Sequence, residues 1–339
     1  MRIDGKCAQP FELIEHIEPN LPNFFVRVED FQPLQPHKPQ KPQKPHKPQT
    51  TNHKPHKPLQ PLTIFAKNKI IMQKVKSITI YILMLLSIVI TANAQKKSSI
   101  KTESLSYTIG NEKFVSYVAY NDKFTEKRPV VLVVHEWWGL NDYVKRRTCQ
   151  LAALGYLVIA VDLYGEGKMA NNVEEAVGFS TPYYKDPILA KSHFDAALDN
   201  IKLNKLADTN NIAAIGYCFG GSMVLNFAKM GENFKGVVSF HGGLAGVPPT
   251  KGLLKSELLI CHGADDKFVS AEEVANFKKE LESINAIYTF KEYPNATHAF
   301  TNPDATEIGK KFKIPIAYNE LADVASWNEM KTFLKRIFK

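Results

Sequence analysis

The segment 216–221 reads Gly-Tyr-Cys-Phe-Gly-Gly and places a cysteine between glycines. The mostly apolar run 211–215 before it predicts a short strand, and residues 222–228 after it predict a helix. A strand, a sharp turn and a helix in succession present the central residue of a G-x-nucleophile-x-G motif with its reactive atom exposed. The free amides at the helix N-terminus favour a thiolate at that place. The pattern therefore predicts that Cys218 is a nucleophile.

A cysteine nucleophile needs a base that accepts its proton and an acid that orients the base. Downstream of Cys218, the acids Asp265 and Asp266 follow one apolar run, and His298 follows the next. The chain order nucleophile, acid, histidine is one that hydrolases with this strand-turn-helix motif use. Because the carboxyl ends of parallel strands meet at one edge of a sheet, we expect these side chains to come together.

Some alternatives stay open at this point. Asp265 could be the acid in place of Asp266, in which case the other carboxylate would cap the following helix. Three further histidines, His135, His241 and His262, also adjoin strand ends. Only His298 lies after the acids in the required order, so it is the predicted base.

The elements that must position these residues begin near residue 104. Alternating strand and helix patterns over 104–339 predict one α/β domain, a three-layer sandwich around a mostly parallel sheet. Residues 105–109 and 114–120 alternate with a period of two and predict an antiparallel hairpin at the sheet edge. Continuous apolar runs predict six parallel strands, near 130–134, 156–161, 212–215, 236–240, 258–261 and 288–293. Helices are predicted near 142–154, 188–203, 221–230, 270–284 and 317–338.

The segment 163–186 lies between a predicted strand and a predicted helix. It is rich in Gly, Asn, Pro and Tyr. Its composition predicts a long excursion above the sheet, where a cap over the substrate would lie.

Residues 72–94 have the three parts of a secretory signal peptide. A basic start at 74–76 precedes an apolar run at 78–90 and an A-x-A site at 92–94. The apolar run is shorter than the roughly 20 residues of a membrane span, so we expect cleavage after Ala94 and export to the periplasm or beyond the cell. An uncleaved segment at 77–90 would instead tether the protein to a membrane.

Residues 1–71 precede the predicted signal peptide and end in repeats of K-P-Q and H-K-P. This composition predicts a disordered, low-complexity leader, because it offers no apolar periodicity from which to build a core. Since a signal peptide normally begins a protein, a misassigned start codon is the alternative, with Met72 as the initiator.

The net charge of +9 could suggest nucleic-acid binding, but most of the excess lies in the leader. Residues 95–339 contain 30 Lys and Arg against 28 Asp and Glu. Without a basic stripe to follow a phosphate backbone, nucleic acid is not an expected partner. Residues 95–339 hold three cysteines, which cannot all pair, so at least one thiol stays free.

Four motifs in this order resemble those of the dienelactone hydrolase family, within the α/β-hydrolase superfamily. The family's elbow G-x-C-x-G-G matches 216–221, its acid motif D-x-F-V matches 266–269, and its histidine motif H-x-F matches 298–300. Its glutamate after an early strand matches Glu136. The resemblance covers 104–339, implies the α/β-hydrolase fold, and favours Asp266 over Asp265 as the acid.

The resemblance also implies a reaction. An ester or lactone would be cleaved through a Cys218 thioester, with the backbone amides of Trp137 and Phe219 stabilising the oxyanion. Glu136 would accept a hydrogen bond from the resting thiol until substrate displaces it. No metal or organic cofactor is expected. A broad carboxylesterase or thioesterase is an alternative, and so is a non-catalytic binding protein of the same fold. The oligomeric state is not predicted.

The expected substrate pocket departs from the family in one respect. The family's founding enzymes bind a substrate carboxylate through arginines, one of them four residues after the histidine, where this chain has Asn302. Arginine is absent between Arg147 and Arg336, although Lys168 or Lys185 could offer a charge. The remaining predicted pocket residues are aromatic, with about half of such residues expected to be core instead: Trp138, Tyr164, Tyr183, Phe268 and Phe300. An apolar or cyclic substrate is therefore expected.

Overall fold

The computed structural model describes Met72 and residues 99–339, of which 99–339 belong to one compact unit. The predicted leader 1–71 and, apart from Met72, the predicted signal peptide 72–94 lie outside the described residues. In the part that is described, no helix combines the length and the apolarity that a membrane span requires.

Within residues 99–339, eight strands form one sheet. In chain order they are β1 (Ile100–Ile109), β2 (Glu112–Asn121), β3 (Arg128–Val134), β4 (Leu157–Val161), β5 (Ala207–Tyr217), β6 (Gly236–Phe240), β7 (Glu257–Gly263) and β8 (Tyr288–Tyr293). Their order across the sheet is β1-β2-β4-β3-β5-β6-β7-β8. The pairs β1–β2 and β2–β4 are antiparallel, and all the others are parallel. The predicted edge hairpin and mostly parallel sheet are confirmed.

Seven helices of this unit accompany the sheet. They are α1 (Asp142–Ala153), α2 (Val173–Lys185), α3 (Pro187–Lys202), α4 (Phe219–Lys229), α5 (Ala271–Ser283), α6 (Ala305–Phe312) and α7 (Glu320–Ile337). The five that the sequence predicted are present, with ends shifted by up to three residues. The other two, α2 and α6, were not predicted.

The strands separate two apolar cores, because successive side chains of a strand point to opposite faces. In β3, Val130, Leu132 and Val134 pack into a core with α3, α4 and α5. The alternate residues Val131 and Val133 pack into a second core with α1 and α7. The molecule is therefore the predicted three-layer sandwich, and its central strands are apolar on both faces because both faces are covered.

The excursion at 163–186 contains the helix α2. Asn172 caps it, since its side-chain oxygen accepts a hydrogen bond from the Glu175 amide at 2.9 Å. Gly178 and Pro182 lie inside the helix, and both residue types disfavour helix interiors, so the sequence indicated irregular structure. The Asn172 cap and the packing of the helix against the domain outweigh the local preference of these two residues for non-helical structure. The helix α6 has only eight residues, too few for a clear apolar period.

Candidate active site

The carboxyl ends of the parallel strands meet at one edge of the sheet, and the predicted nucleophile, acid, base and glutamate each follow one of them. Glu136 follows β3 and Cys218 follows β5, while Asp266 and His298 follow β7 and β8. The strand between them in the sheet, β6, ends just before His241. This edge is where open α/β sheets bind their ligands.

Cys218 lies in the tight turn between β5 and α4. Its φ of 52° and ψ of −117° fall outside the regions that non-glycine residues commonly adopt. The backbone is so close-packed that a Cβ at Gly216 would lie 2.0 Å from the Gly220 carbonyl oxygen. A Cβ at Gly220 would lie 2.2 Å from the Val134 carbonyl oxygen. Because neither position has room for a methyl group, the turn requires glycine at both.

His298 lies between Asp266 and Cys218. Its Nδ1 is 2.8 Å from Asp266 Oδ2, and its Nε2 is 3.0 Å from Cys218 Sγ. Since a carboxylate only accepts hydrogen bonds, Nδ1 carries a proton. Asp266 Oδ1 accepts a hydrogen bond from the Phe268 amide at 2.8 Å, which fixes the orientation of the carboxylate. The structure thus brings the three predicted residues into one hydrogen-bonded line.

The charges in this line act on the imidazole. Burial by itself would lower the pKa of His298, because it removes water from the charged ring. The negative charge of Cys218 as a thiolate and the hydrogen-bonded Asp266 carboxylate outweigh burial and raise the pKa of His298 to about 10. At neutral pH a protonated imidazole is therefore favoured next to the sulfur. The site can supply an attacking thiolate and a proton donor from the same pair of side chains.

Glu136 is buried beside this line, with 1% of its surface exposed. Burial raises the pKa of its carboxyl to about 7, although the hydrogen bond from Asn302 and the positive charges of His298 and Arg147 oppose the shift. Asn302 Nδ2 donates that hydrogen bond to Glu136 Oε2 at 2.8 Å. The residue at the arginine position of the family is thus a neutral partner of the glutamate.

The loop after β3 lies directly against the nucleophile turn. The Gly220 amide donates to the His135 carbonyl at 3.0 Å, and Tyr164 Oη donates to the Trp137 carbonyl at 3.2 Å. Phe219 is the first residue of α4, so its amide has no acceptor within the helix. These contacts place the loop of Trp137 next to the turn of Phe219, the two residues whose amides were predicted to bind an oxyanion.

The other candidates for the acid and the base do not belong to the hydrogen-bonded line of Asp266, His298 and Cys218. Asp265 is exposed, and Asp266 is the carboxylate that meets His298. Ser270, and neither aspartate, caps α5 by accepting a hydrogen bond from the Glu273 amide. The ring of His262 packs against Phe290 on the side of the first core. His135 is fully buried and contacts the ring of Phe219.

Aromatic side chains surround the site unevenly. Tyr164, Tyr183 and Tyr184 have ring centroids within 5.3–6.1 Å of the Phe219 ring. Tyr184 stands on the same helix, α2, as Tyr183 and is half exposed, but it was not among the predicted pocket residues. On the other side, Phe268 is 47% exposed and its ring lies 4.9 Å from that of His298. These side chains form an apolar surround for Cys218.

The other predicted pocket residues lie deeper. Trp138 is buried between Trp137 and Phe312. Phe300 is fully buried in the second core, where it packs against His241 and Tyr293, and so it is not a pocket wall. Asn302 is also buried, and it reaches the site only through Glu136.

His241 is the residue that the sequence analysis did not assign a role. Its Nδ1 accepts a hydrogen bond from the Cys218 amide at 3.1 Å, and its Nε2 lies 2.7 Å from Thr301 Oγ1. Its position after β6 marked it only as a competitor for the base. The described residues contain no cluster of three or more His, Cys, Asp or Glu side chains that could hold a metal ion.

Three kinds of comparison with known proteins relate this chain to dienelactone hydrolase-like proteins. Residues 114–338 match the family model described as the dienelactone hydrolase family. A Yersinia pestis protein named "putative carboxymethylenebutenolidase" is 29% identical over 198 residues, which cover 55% of this chain and 73% of that protein. An uncharacterized protein of Caenorhabditis elegans is 30% identical over 151 residues, covering 44% of this chain and 94% of that protein.

A crystal structure is also similar to this chain. It is that of a dienelactone hydrolase-like promiscuous phosphotriesterase from metagenomic libraries, which is 31% identical with a TM-score of 0.67. The match covers 71% of this chain and 100% of that chain.

Proposed function

Because the chain belongs to the dienelactone hydrolase family and is a hydrolase of ester or lactone bonds with the α/β-hydrolase fold, we propose that Cys218 carries the acyl group as a thioester in this reaction. The observation that supports it best is the 3.0 Å distance between Cys218 Sγ and His298 Nε2, with Asp266 on the far side of the ring. A nucleophile, a base and an orienting acid are the groups that such catalysis needs.

The first half-reaction forms the thioester. The Cys218 thiolate attacks the carbonyl carbon, and the electron pair of the C=O bond moves to oxygen. The amides of Trp137 and Phe219 donate hydrogen bonds to that oxyanion. As the tetrahedral intermediate collapses, the C–O bond breaks and His298 Nε2–H gives its proton to the leaving oxygen. In a lactone the alcohol stays attached to the acyl chain.

The second half-reaction releases the acid. His298, now neutral, takes a proton from water, and the hydroxide adds to the thioester carbon. Collapse breaks the C–S bond and returns the electron pair to sulfur, so that the thiolate and the imidazolium are restored. The pKa of His298, raised to about 10, favours the protonated ring that donates to the next leaving group. The cycle consumes one water for each ester.

We further propose that the substrate is an uncharged ester or lactone. Asn302 is neutral, and Glu136 ionises near pH 7 in the buried site, so a substrate carboxylate would find repulsion where the family's founding enzymes offer an arginine. The rings of Tyr164, Tyr184 and Phe268 suit an apolar acyl or alcohol group. Rates for lactones with and without a carboxylate substituent test this selectivity, and a preference for the charged lactone would contradict it.

Glu136 is proposed to hold the resting thiol, as the family resemblance implies. The structure has its carboxylate on Asn302 and the sulfur toward His298, which corresponds to the arrangement after the glutamate has been displaced. A thiol held by Glu136 would resist oxidation. Glu136→Gln is therefore expected to lose activity faster than the natural protein in hydrogen peroxide, and equal loss rates would contradict the role.

We propose that the hydrolase is exported. The basic start, apolar run and A-x-A site within 72–94 support this. Expression in a bacterial host with a peptide map of the N-terminus would test it. A mature form in the periplasm that begins at Gln95 is expected, and a cytoplasmic form with 1–71 intact would contradict export.

A second substrate is favoured by one comparison. The similar phosphotriesterase is 31% identical over its whole chain, and a phosphotriester is neutral, as this site prefers. The thiolate would attack phosphorus and displace the aryloxide, to which His298 gives its proton, and water would then hydrolyse the phosphorothioate. Hydrolysis of a neutral aryl dialkyl phosphate that Cys218→Ala abolishes would support this activity, and its absence at high enzyme concentration would contradict it.

The nucleophile is tested with the full chain and p-nitrophenyl acetate. Cys218→Ala is expected to lower kcat by about 10³-fold or more. Cys261→Ala is the matched control, because Cys261 is a free thiol that lies fully buried in the second core. An acid-quenched reaction is expected to show an acetyl group on the Cys218 peptide. Equal rates for Cys218→Ala and Cys261→Ala would remove the nucleophile from the proposal.

A further inference from the structure

Cys218 and a neighbouring residue, His241, both have a positive φ although neither is a glycine. Cys218 has a φ of 52°, and His241, at the end of the neighbouring strand β6, has a φ of 41°. Both conformations cost free energy and persist only where the surrounding structure imposes them. The unusual backbone at His241 turns its fully buried imidazole toward the backbone of Cys218.

The Cys218 amide is shared between two acceptors of that strand end. It lies 3.0 Å from the Phe240 carbonyl oxygen and 3.1 Å from His241 Nδ1. Because an amide only donates, Nδ1 must be unprotonated, so the proton of the neutral ring is on Nε2. Burial lowers the pKa of His241 well below its usual range, with the positive charges of His298 and Arg147 adding to the effect, which agrees with a neutral ring.

The other nitrogen of the ring is bound to the loop that carries His298. His241 Nε2 donates to Thr301 Oγ1 at 2.7 Å, and a hydrogen bond of 2.6 Å joins the same hydroxyl to Tyr143 Oη. Arg147 Nη2 donates to the Thr301 carbonyl at 2.6 Å and pairs with Asp323. Thr301 is therefore held by α1, and through Arg147 by α7 as well.

We propose that His241 is a positioning residue of the nucleophile, which holds the Cys218 amide through Nδ1 and the His298 loop through Nε2. The imidazole spans the two segments whose relative placement sets the distance from Cys218 Sγ to His298 Nε2. Its ring also lies 5.4 Å from that of His298, edge to face. This inference rests on the proposed role of Cys218.

Two variants separate the hydrogen bond from the backbone strain. His241→Asn keeps an acceptor near the place of Nδ1, and His241→Gly removes it, while both residue types adopt a positive φ readily. With p-nitrophenyl acetate, we expect His241→Gly to lose about 10-fold to 100-fold in kcat with KM changed by less than about 2-fold, as for a misplaced nucleophile. His241→Asn is expected to stay within about 5-fold of the natural protein.

Thr301→Val is a third variant with an unchanged ring. It removes the acceptor of His241 Nε2–H, and about a 5-fold loss in kcat is expected. At about pH 10.5, where a cysteine is ionised without help from a neighbouring imidazolium, alkylation of Cys218 by iodoacetamide should keep its rate within about 2-fold in all three variants. Circular dichroism and the thermal midpoint identify any variant that fails to fold.

The outcomes distinguish a failure of the positioning role of His241 from a failure of the nucleophile role of Cys218. If His241→Gly and His241→Asn lose the same activity, or if alkylation of Cys218 falls in parallel with kcat, the positioning role is wrong. If Cys218→Ala keeps its activity, the proposed function itself fails whatever the other variants do. A loss in His241→Gly that clearly exceeds the losses in His241→Asn and Thr301→Val would establish the role, because the latter two variants both keep an acceptor for the Cys218 amide.

Discussion

The buried carboxyl of Glu136 makes the stability of this hydrolase depend on pH in a way that one substitution isolates. Its pKa rises from 4.5 to about 7 on folding, mainly through burial. The folded protein therefore binds this proton more tightly than the unfolded chain does. Below pH 4.5 both states are protonated, and the residue costs nothing. As pH rises from 4.5 to 7 the unfolded chain loses the proton first, so the free energy of unfolding falls.

The size of the effect follows from the shift. Each pKa unit is worth about 1.4 kcal/mol, so a rise of about 2.5 units corresponds to about 3 kcal/mol of lost stability above pH 7. Because only 1% of Glu136 is exposed, solvent screening takes little from this figure. Glu136→Gln removes the titration, and its amide oxygen still accepts the hydrogen bond from Asn302.

The assay is urea denaturation of the natural protein and Glu136→Gln at several pH values from 4.5 to 8. We expect equal stability near pH 4.5 and an advantage of about 3 kcal/mol for Glu136→Gln at pH 8. The difference between the two proteins cancels the other titrations. Glu103→Gln, an exposed position on β1, is the matched control and should leave the pH slope as it is. Parallel stability curves for Glu136→Gln and the natural protein would refute the reasoning.

Three further substitutions test the site. Asp266→Asn removes the negative charge that supports the imidazolium, so the pKa of His298 should fall below about 10 and alkylation of Cys218 at pH 8 should slow by about 10-fold; an unchanged alkylation rate would contradict the ion pair. Asn302→Arg would place a guanidinium beside Glu136, so kcat/KM for a carboxylate-bearing lactone should rise about 10-fold relative to that for a neutral lactone. An unchanged ratio of the two kcat/KM values would contradict the substrate argument. Gly220→Ala should lower the free energy of unfolding by about 3 kcal/mol in urea denaturation, because its Cβ would meet the Val134 carbonyl, and a natural-like midpoint would show that the turn can relax.

The sequence predicted the layers because their signals are local. Apolar runs such as 130–134 fill both cores, and that demand is visible in the chain itself. The helix α2 was hidden for an equally local reason, since Gly178 and Pro182 oppose the helix that Asn172 caps and packing stabilises. Propensity is a weak prior where tertiary contacts decide.

The site residues likewise differ in whether a local sequence signal marks them. Cys218, Asp266 and His298 could be identified because motif and chain order mark them. His241 could not, because its meaning lies in contacts with Cys218 and Thr301, which are 23 and 60 residues away. Phe300 was assigned to the pocket from its residue type and its place in a motif, whereas the direction of its side chain depends on a turn that the residue types do not announce.

That turn explains how one short loop serves three parts of the site. Ala299 has a φ of 58°, so the chain reverses between His298, which points to the sulfur, and Phe300, which points into the core. Thr301 then meets His241 beneath the nucleophile, and Asn302 meets Glu136. The base His298, the His241 partner Thr301 and the Glu136 partner Asn302 therefore belong to one backbone segment. Arg147 holds this segment by donating a hydrogen bond to the Thr301 carbonyl. Because Phe300 anchors this segment in the core, its burial contributes to the placement of His298 even though its ring does not touch the reacting atoms.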